Sequence, residues 1–250
     1  MRHYVINLDR SVERWNSISA SARGLGIELT RIPAINGVAI TQANWLGFDI
    51  KGFCRENGRP PLGGEYGCYA SHIAALKQFL ADGGDDALIL EDDTVLNQNL
   101  IPCLEKLREL CGNKAVLVRL TVNRFFVFEA FADLPFGLNL GQCWFGPNGN
   151  SGAYWITRRG AERLLKAATP ARLTYDKFLE RPWLHNVPSL MVKPNVLHPS
   201  PVHFSEIGHN ANLPRPKKFV WYRRGGALLS RTHQMVRRLI HSARQRRLPG

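Results

Sequence analysis

The stretch Asp85-Asp86-Ala87-Leu88-Ile89-Leu90-Glu91-Asp92-Asp93 decides how the chain is read. Four apolar residues in a row, with no polar alternation, predict a strand over Ala87–Leu90 that is covered on both faces. That strand runs straight into three consecutive carboxylates. Like charges at the end of a buried strand are unfavourable unless something neutralises them. In an open α/β sheet the carboxyl ends of strands are where ligands bind. A hard divalent cation with oxygen ligands would supply the missing charge and bridge a diphosphate, and would stabilise a departing diphosphate as a Lewis acid. A solvated acidic turn or a helix cap is the ordinary alternative.

Outward from this strand, Tyr4–Leu8 reads as a second short buried strand. A helix over Val12–Leu25 follows, with Ser11 as N-cap and Gly24/Gly26 as its stop. Leu29–Ile35 is strand-like, and a loop runs from there through Pro60-Pro61. Helices are predicted over Glu65–Leu80, Leu100–Leu110 and Gly160–Ala168, and strands over Ala115–Val122 and Ala153–Thr157, with two more in the aromatic stretch Phe125–Trp144. Past Pro182 no period is visible. Strand–helix alternation with continuous apolar strands predicts an α/β domain around a mostly parallel sheet.

The formal net charge of +13 is concentrated at one end. Residues 211–250 hold eleven Lys/Arg and no Asp or Glu, so residues 1–210 balance 22 basic against 20 acidic side chains. A nearly neutral body argues against nucleic acid as a partner, and the basic end suits an anionic surface. The division expected is a body over 1–210 and a basic tail over 211–250. On a helix over Gly225–Arg244, Leu228, Leu229, Met235, Val236, Leu239, Ile240 and Ala243 share one side. Arg231, Arg237, Arg238 and Arg244 take the other, with Trp221, Tyr222, Arg223 and Arg224 at the entry. This is the pattern of an interfacial membrane helix; a helix docked on the protein's own body is the alternative. No apolar run is long enough to span a bilayer, the start lacks a signal-peptide pattern, and the five cysteines show no metal spacing. A cytoplasmic protein, peripheral at the inner face of the membrane, is expected.

Two further segments carry chemistry. Arg10 and Arg14 stand one turn apart at a helix start, a natural diphosphate site. In Gly63-Gly64-Glu65-Tyr66-Gly67-Cys68-Tyr69-Ala70-Ser71-His72, small residues permit close backbone approach while Glu65 and His72 are ionisable in a helix that reads as buried.

Taken together, VINLDRSVER (5–14), RIPAING (31–37), GGEYGCYASH (63–72), LILEDD (88–93), GNSGAYWITRRGAERLL (149–165) and TYD (174–176) resemble glycosyltransferase family 25, the lipooligosaccharide-biosynthesis galactosyltransferases. The resemblance runs from Tyr4 to Ile207. It implies a GT-A-like, Rossmann-type sheet flanked by helices, and an inverting transfer of a hexose, galactose first, from a UDP-sugar. The acceptor implied is a lipooligosaccharide or related glycolipid or oligosaccharide. Carried over by position, Asn7, Asp9 and Arg10 would lie against the nucleotide, with Ser71 and His72 in the same pocket. Asp93 and Asp92 would hold the cation (manganese, or else magnesium), Gly152 and Tyr154 would shape the floor, and Asp176, with Glu91 second, would be the base that takes the acceptor proton. The chain departs from the family pattern at Leu173-Thr174-Tyr175, where an aliphatic pair with proline is usual, and its late stretch His198–Ile207 matches the closing segment only loosely; His198, His203 and His209 are candidates to complete the metal shell, with solvated loop histidines as the ordinary alternative. A non-catalytic sugar-binding scaffold and a metal-dependent phosphodiesterase are the rival readings.

Overall fold

The computed structural model describes residues 1–112, 114–201, 218–220, 222 and 225–245. The chain opens with β1 (Arg2–Asn7), α1 (Val12–Gly24), β2 (Thr30–Pro33), α2 (Ile50–Asn57) and α3 (Gly63–Asp82). Then come β3 (Asp86–Glu91), β4 (Thr94–Val95), α4 (Leu100–Cys111), β5 (Leu117–Arg119), β6 (Phe128–Leu134), β7 (Leu138–Cys143) and β8 (Ala153–Thr157). It closes with α5 (Arg158–Ala167), α6 (Tyr175–Leu179), α7 (Pro182–His185), β9 (Ser189–Lys193), β10 (His198–Pro199) and α8 (Gly225–Arg244). Eight strands form one sheet in the order β2-β1-β3-β8-β5-β9-β7-β6, and β4 pairs with β10 apart from it.

The apolar runs are continuous because both faces of the sheet are covered. Leu88 and Leu90 point into one core layer with Ile18 of α1 and Leu104 of α4. Ala87 and Ile89 point into the other, with Leu76 of α3 and Leu164 of α5. All four strand residues are fully buried, each large one contributing about 1.5–3 kcal/mol by leaving water.

The sheet is mixed, which corrects the expectation of a mostly parallel one. β2, β1 and β3 are mutually parallel and β5 is parallel to β9. β8 runs antiparallel between β3 and β5, and β7 and β6 continue antiparallel at the far edge. The cause is the connection: β8 is reached from β7 through a loop, and only a helical crossover compels a parallel neighbour. α2 lies in a segment expected to be loop. Asp49 caps it by accepting from Gly52 N at 2.8 Å, Gly58 ends it in the left-handed region, and Phe53 anchors it in the core. β9 likewise appears beyond Pro182.

α8 occupies the expected range, and its polar side faces the body. Trp183 Nε1 donates to Gln234 Oε1 at 2.8 Å, Arg238 donates to Glu180 at 2.9 Å, and Gln142 donates to the carbonyls of Ser242 and Gln245. The apolar stripe points outward: Leu228, Leu229, Met235, Val236 and Ile240 are exposed, Leu229 by 75%. Among the described residues no helix is long and apolar enough to cross a membrane, and all five cysteines are unpaired. His203, His209, Trp221, Arg223 and Arg224 lie outside the described residues.

Candidate active site

β3 delivers its acidic end into a cleft of about 110 Å3. β1, the loop after it (Arg10) and the first turn of α1 (Arg14) form one wall, the 34–38 turn a second, and α3 (Gly64, Gly67, Ser71, His72) a third. Parallel pairing sets Ile6 of β1 opposite Glu91, so the residues just past both strands converge on one mouth.

Glu91 is held at one oxygen. His72 Nε2 lies 3.1 Å from its Oε1 and Ser151 donates to the same atom at 2.9 Å. Burial alone would raise this carboxyl, but the hydrogen bond and charge of His72, with Ser151 and Arg14, outweigh it and hold Glu91 below the usual carboxylate range. His72 in turn stacks on Tyr175 at 4.2 Å and meets the Tyr154 hydroxyl at 3.3 Å, which lies 2.9 Å from that of Tyr175.

Asp92 is held differently. Asn7 Nδ2 donates to it at 2.7 Å and Arg14 at 3.3 Å, while Arg31 orients Asn7 through Oδ1 at 2.8 Å. Burial still leaves Asp92 raised. Asp93 is pushed up to about 7, by burial first and then by the charges of Glu91 and Asp92. Its carbonyl accepts from Ser200 N at 2.6 Å, where β10 returns beside β4, with His198 opposite Val95.

The small residues of α3 permit contact between backbones. A Cβ on Gly67 would stand 2.8 Å from Gly37 N and closer still to Ile35 O. Ser71 secures the same junction, donating to Gly67 O at 2.6 Å and accepting from Ile35 N at 2.7 Å. Glu65 caps the helix start by accepting from Leu62 N at 2.9 Å and pairs with Arg59.

Of the site residues expected from sequence, Arg10, Ser71, His72, Glu91, Asp92 and Asp93 line the cleft. Asn7 is buried just behind it. Asp9 sits on the rim, 84% exposed at its side chain and paired with Arg31. Gly152 and Tyr154 stand behind the triplet. Gly152 O accepts from Glu91 N at 2.7 Å, and Tyr154 backs His72. Asp176 stands in the first turn of α6, outside the cleft lining; its charge, after that of Glu91, raises the Cys68 thiol, which burial raises most. Sequence reasoning missed Ser151 and the Tyr175 stack, although both lie within the quoted blocks. It also missed the buried Arg119–Glu180 pair, which braces the turn before Ser151 through Arg119 to Asn150 O at 2.8 Å.

Two ligand sets meet here. Cys68, His72 and Glu91 bring their donor atoms within 4.8 Å of one another; burial, then the charges of Glu91 and Asp176, raises the thiol far above its ordinary value, which a bound cation would reverse. Asp93 offers hard oxygens beside Asp92, whose own oxygens accept from Asn7 and Arg14, and burial with the charges of Glu91 and Asp92 raises the Asp93 carboxyl. That donor set fits magnesium or manganese.

The family model described as Glycosyltransferase family 25 (LPS biosynthesis protein) matches residues 1–130. A protein of Aedes aegypti, "Glycosyltransferase 25 family member", is 31% identical over 94 residues, covering 36% of this chain and 16% of its own length. The chain therefore spans a small part of that relative. Among solved structures, a glycosyltransferase involved in the glycosylation of the major capsid of PBCV-1 aligns with TM-score 0.38 at 11% identity, over 75% of this chain and 81% of its own. The galactosyltransferase LgtC, in complex with donor and acceptor sugar analogs, aligns with TM-score 0.36 at 14% identity, over 76% and 72%. The family match takes in every residue that lines the cleft and more than half of the chain, which belongs to glycosyltransferase family 25.

Proposed function

We propose that this chain is an inverting glycosyltransferase that moves a hexose, galactose first, from a UDP-sugar to a lipooligosaccharide or related cell-envelope glycan. The observation that carries the reading is the carboxylate end of β3, three acidic side chains together in a cleft that also presents Arg10 and Arg14. Asp93 and Asp92 would hold a divalent cation, manganese or magnesium. Such an ion supplies Lewis-acid neutralisation of the departing diphosphate. Arg10 adds a fixed charge for the same phosphates, and Asn7 keeps Asp92 oriented. Glu91, ionised and hydrogen-bonded to His72, is a weaker base than its burial would suggest. Asp176 is the first candidate to accept the incoming hydroxyl's proton, with Glu91 second. Manganese-dependent release of UDP from UDP-galactose tests the reading, and no release from any UDP-sugar would favour the scaffold alternative.

The acceptor side of the reading includes attachment to the cytoplasmic face of an anionic membrane. α8 keeps its polar side for the body and its apolar stripe for the outside, flanked by Arg231 on one edge and Arg237 and Arg244 on the other, with no acidic residue in the helix. An arginine beside anionic lipid contributes about 1 kcal/mol, and the stripe is exposed among the described residues.

A further inference from the structure

A second cleft, of about 490 Å3, opens between α8 and the body. Its walls carry Lys177 of α6, Arg181, and Arg231 and Arg238 of α8, against two carboxylates, Glu56 and Glu180. Arg238 is committed to Glu180 at 2.9 Å, and Arg181 reaches Glu56 only at 3.9 Å. Lys177 donates to the neutral amide oxygen of Asn57 at 2.8 Å; burial lowers its pKa, as expected for an ammonium removed from water beside an uncharged partner. Phe145, 39% exposed, adds an aromatic face to the same space. Four cations, two carboxylates and an exposed ring suit an anionic ligand with a flat apolar side.

We infer that this cleft binds a saccharide bearing a phosphate or carboxylate, with Lys177, Arg181 and Arg231 on the anionic group and Phe145 against the sugar ring. The inference rests on the transferase reading in taking that saccharide as the acceptor. Lys177 lines this cleft and follows Asp176 in the first turn of α6, and the Asp176 carboxylate acts electrostatically both on Lys177 and on Cys68 of the first cleft. An acceptor anchored at Lys177 would bring a hydroxyl toward Asp176.

The test is calorimetric titration of the full chain, with UDP and manganese at saturation so that the first cleft is filled. The probes are glucose 6-phosphate, glucuronate, glucose and inorganic phosphate. Glucose 6-phosphate and glucuronate should bind and glucose should not. Arg231→Ser and Lys177→Gln, on separate elements, should each weaken binding about tenfold. Equal binding of inorganic phosphate and glucose 6-phosphate would overturn the saccharide assignment, and variants that bind like the parent would overturn the site. Anionic sugars that bind while UDP does not would support this cleft and count against the donor reading alone.

Discussion

Asn7, the last residue of β1, donates a 2.7 Å hydrogen bond to Asp92, the first residue beyond β3. The contact joins two parallel strands at their carboxyl ends and, with Arg14, satisfies one carboxylate of the triplet. Glu91 is satisfied by His72 and Ser151. Asp93 is left as the carboxylate whose charge the protein compensates least, which is the physical basis for assigning it the cation.

Replacing Asp93 by Asn should abolish manganese-dependent UDP release, by roughly 100-fold or more given the charge stabilisation lost in a water-poor site. It should also stabilise the metal-free protein. A carboxyl raised to about 7 in the folded state lowers stability as pH climbs from its unfolded value toward 7. The variant should therefore melt a few degrees higher than the parent at pH 8 and no higher at pH 4.

Because the cation must displace that proton, manganese affinity should rise up to tenfold per unit of pH below about 7 and level off above it. Titrations at pH 5.5, 6.5 and 8 would register this. A pH-independent affinity would place the ion on other ligands.

Ser151→Ala removes one of the two hydrogen bonds on Glu91 Oε1 and should lower turnover about tenfold, a cost of roughly 1.4 kcal/mol. The fold should survive, since Ser151 lies on a loop whose backbone is held by Arg119. Unchanged turnover would show that the orientation of Glu91 is immaterial.

Gly67→Ala drives a methyl into the backbone of the 35–37 turn, which is not the end of a flexible side chain and cannot swing away. Destabilisation of about 1–3 kcal/mol is expected, with weaker UDP binding because the same turn lines the cleft. Denaturation midpoints and UDP titration measure the two effects.

Leu229→Glu with Ile240→Glu places charge on the outward stripe of α8 without touching its docked side. Binding to vesicles containing phosphatidylglycerol should be lost while UDP release persists. Retained vesicle binding would remove the membrane from the account.

The strands and helices that fill both core layers could be read from the sequence because burial writes itself as uninterrupted apolar runs and helical spacing; β8 and α4 fall where those patterns put them. Strand order could not be read. Nothing in Ala153–Thr157 says that it inserts antiparallel between β3 and β5, because that depends on the path of a loop. α2 escaped notice because eight residues stabilised by the Asp49 cap and the burial of Phe53 carry almost no periodic signal. In the site, the triplet stood out by its charge. The partners that set its chemistry, Ser151 to Glu91 and Arg31 through Asn7 to Asp92, meet across 60 and 85 positions of chain, and pairings at that range leave no local trace.

The most direct measurement is anomalous diffraction at the manganese edge from crystals grown with manganese and UDP. The expected result is a single peak at about 2.0–2.3 Å from an Asp93 oxygen, bridging to both phosphates of UDP beside Arg10. A peak on Cys68 and His72, or UDP bound with the Asp93 carboxylate turned away and no cation beside it, would contradict the account.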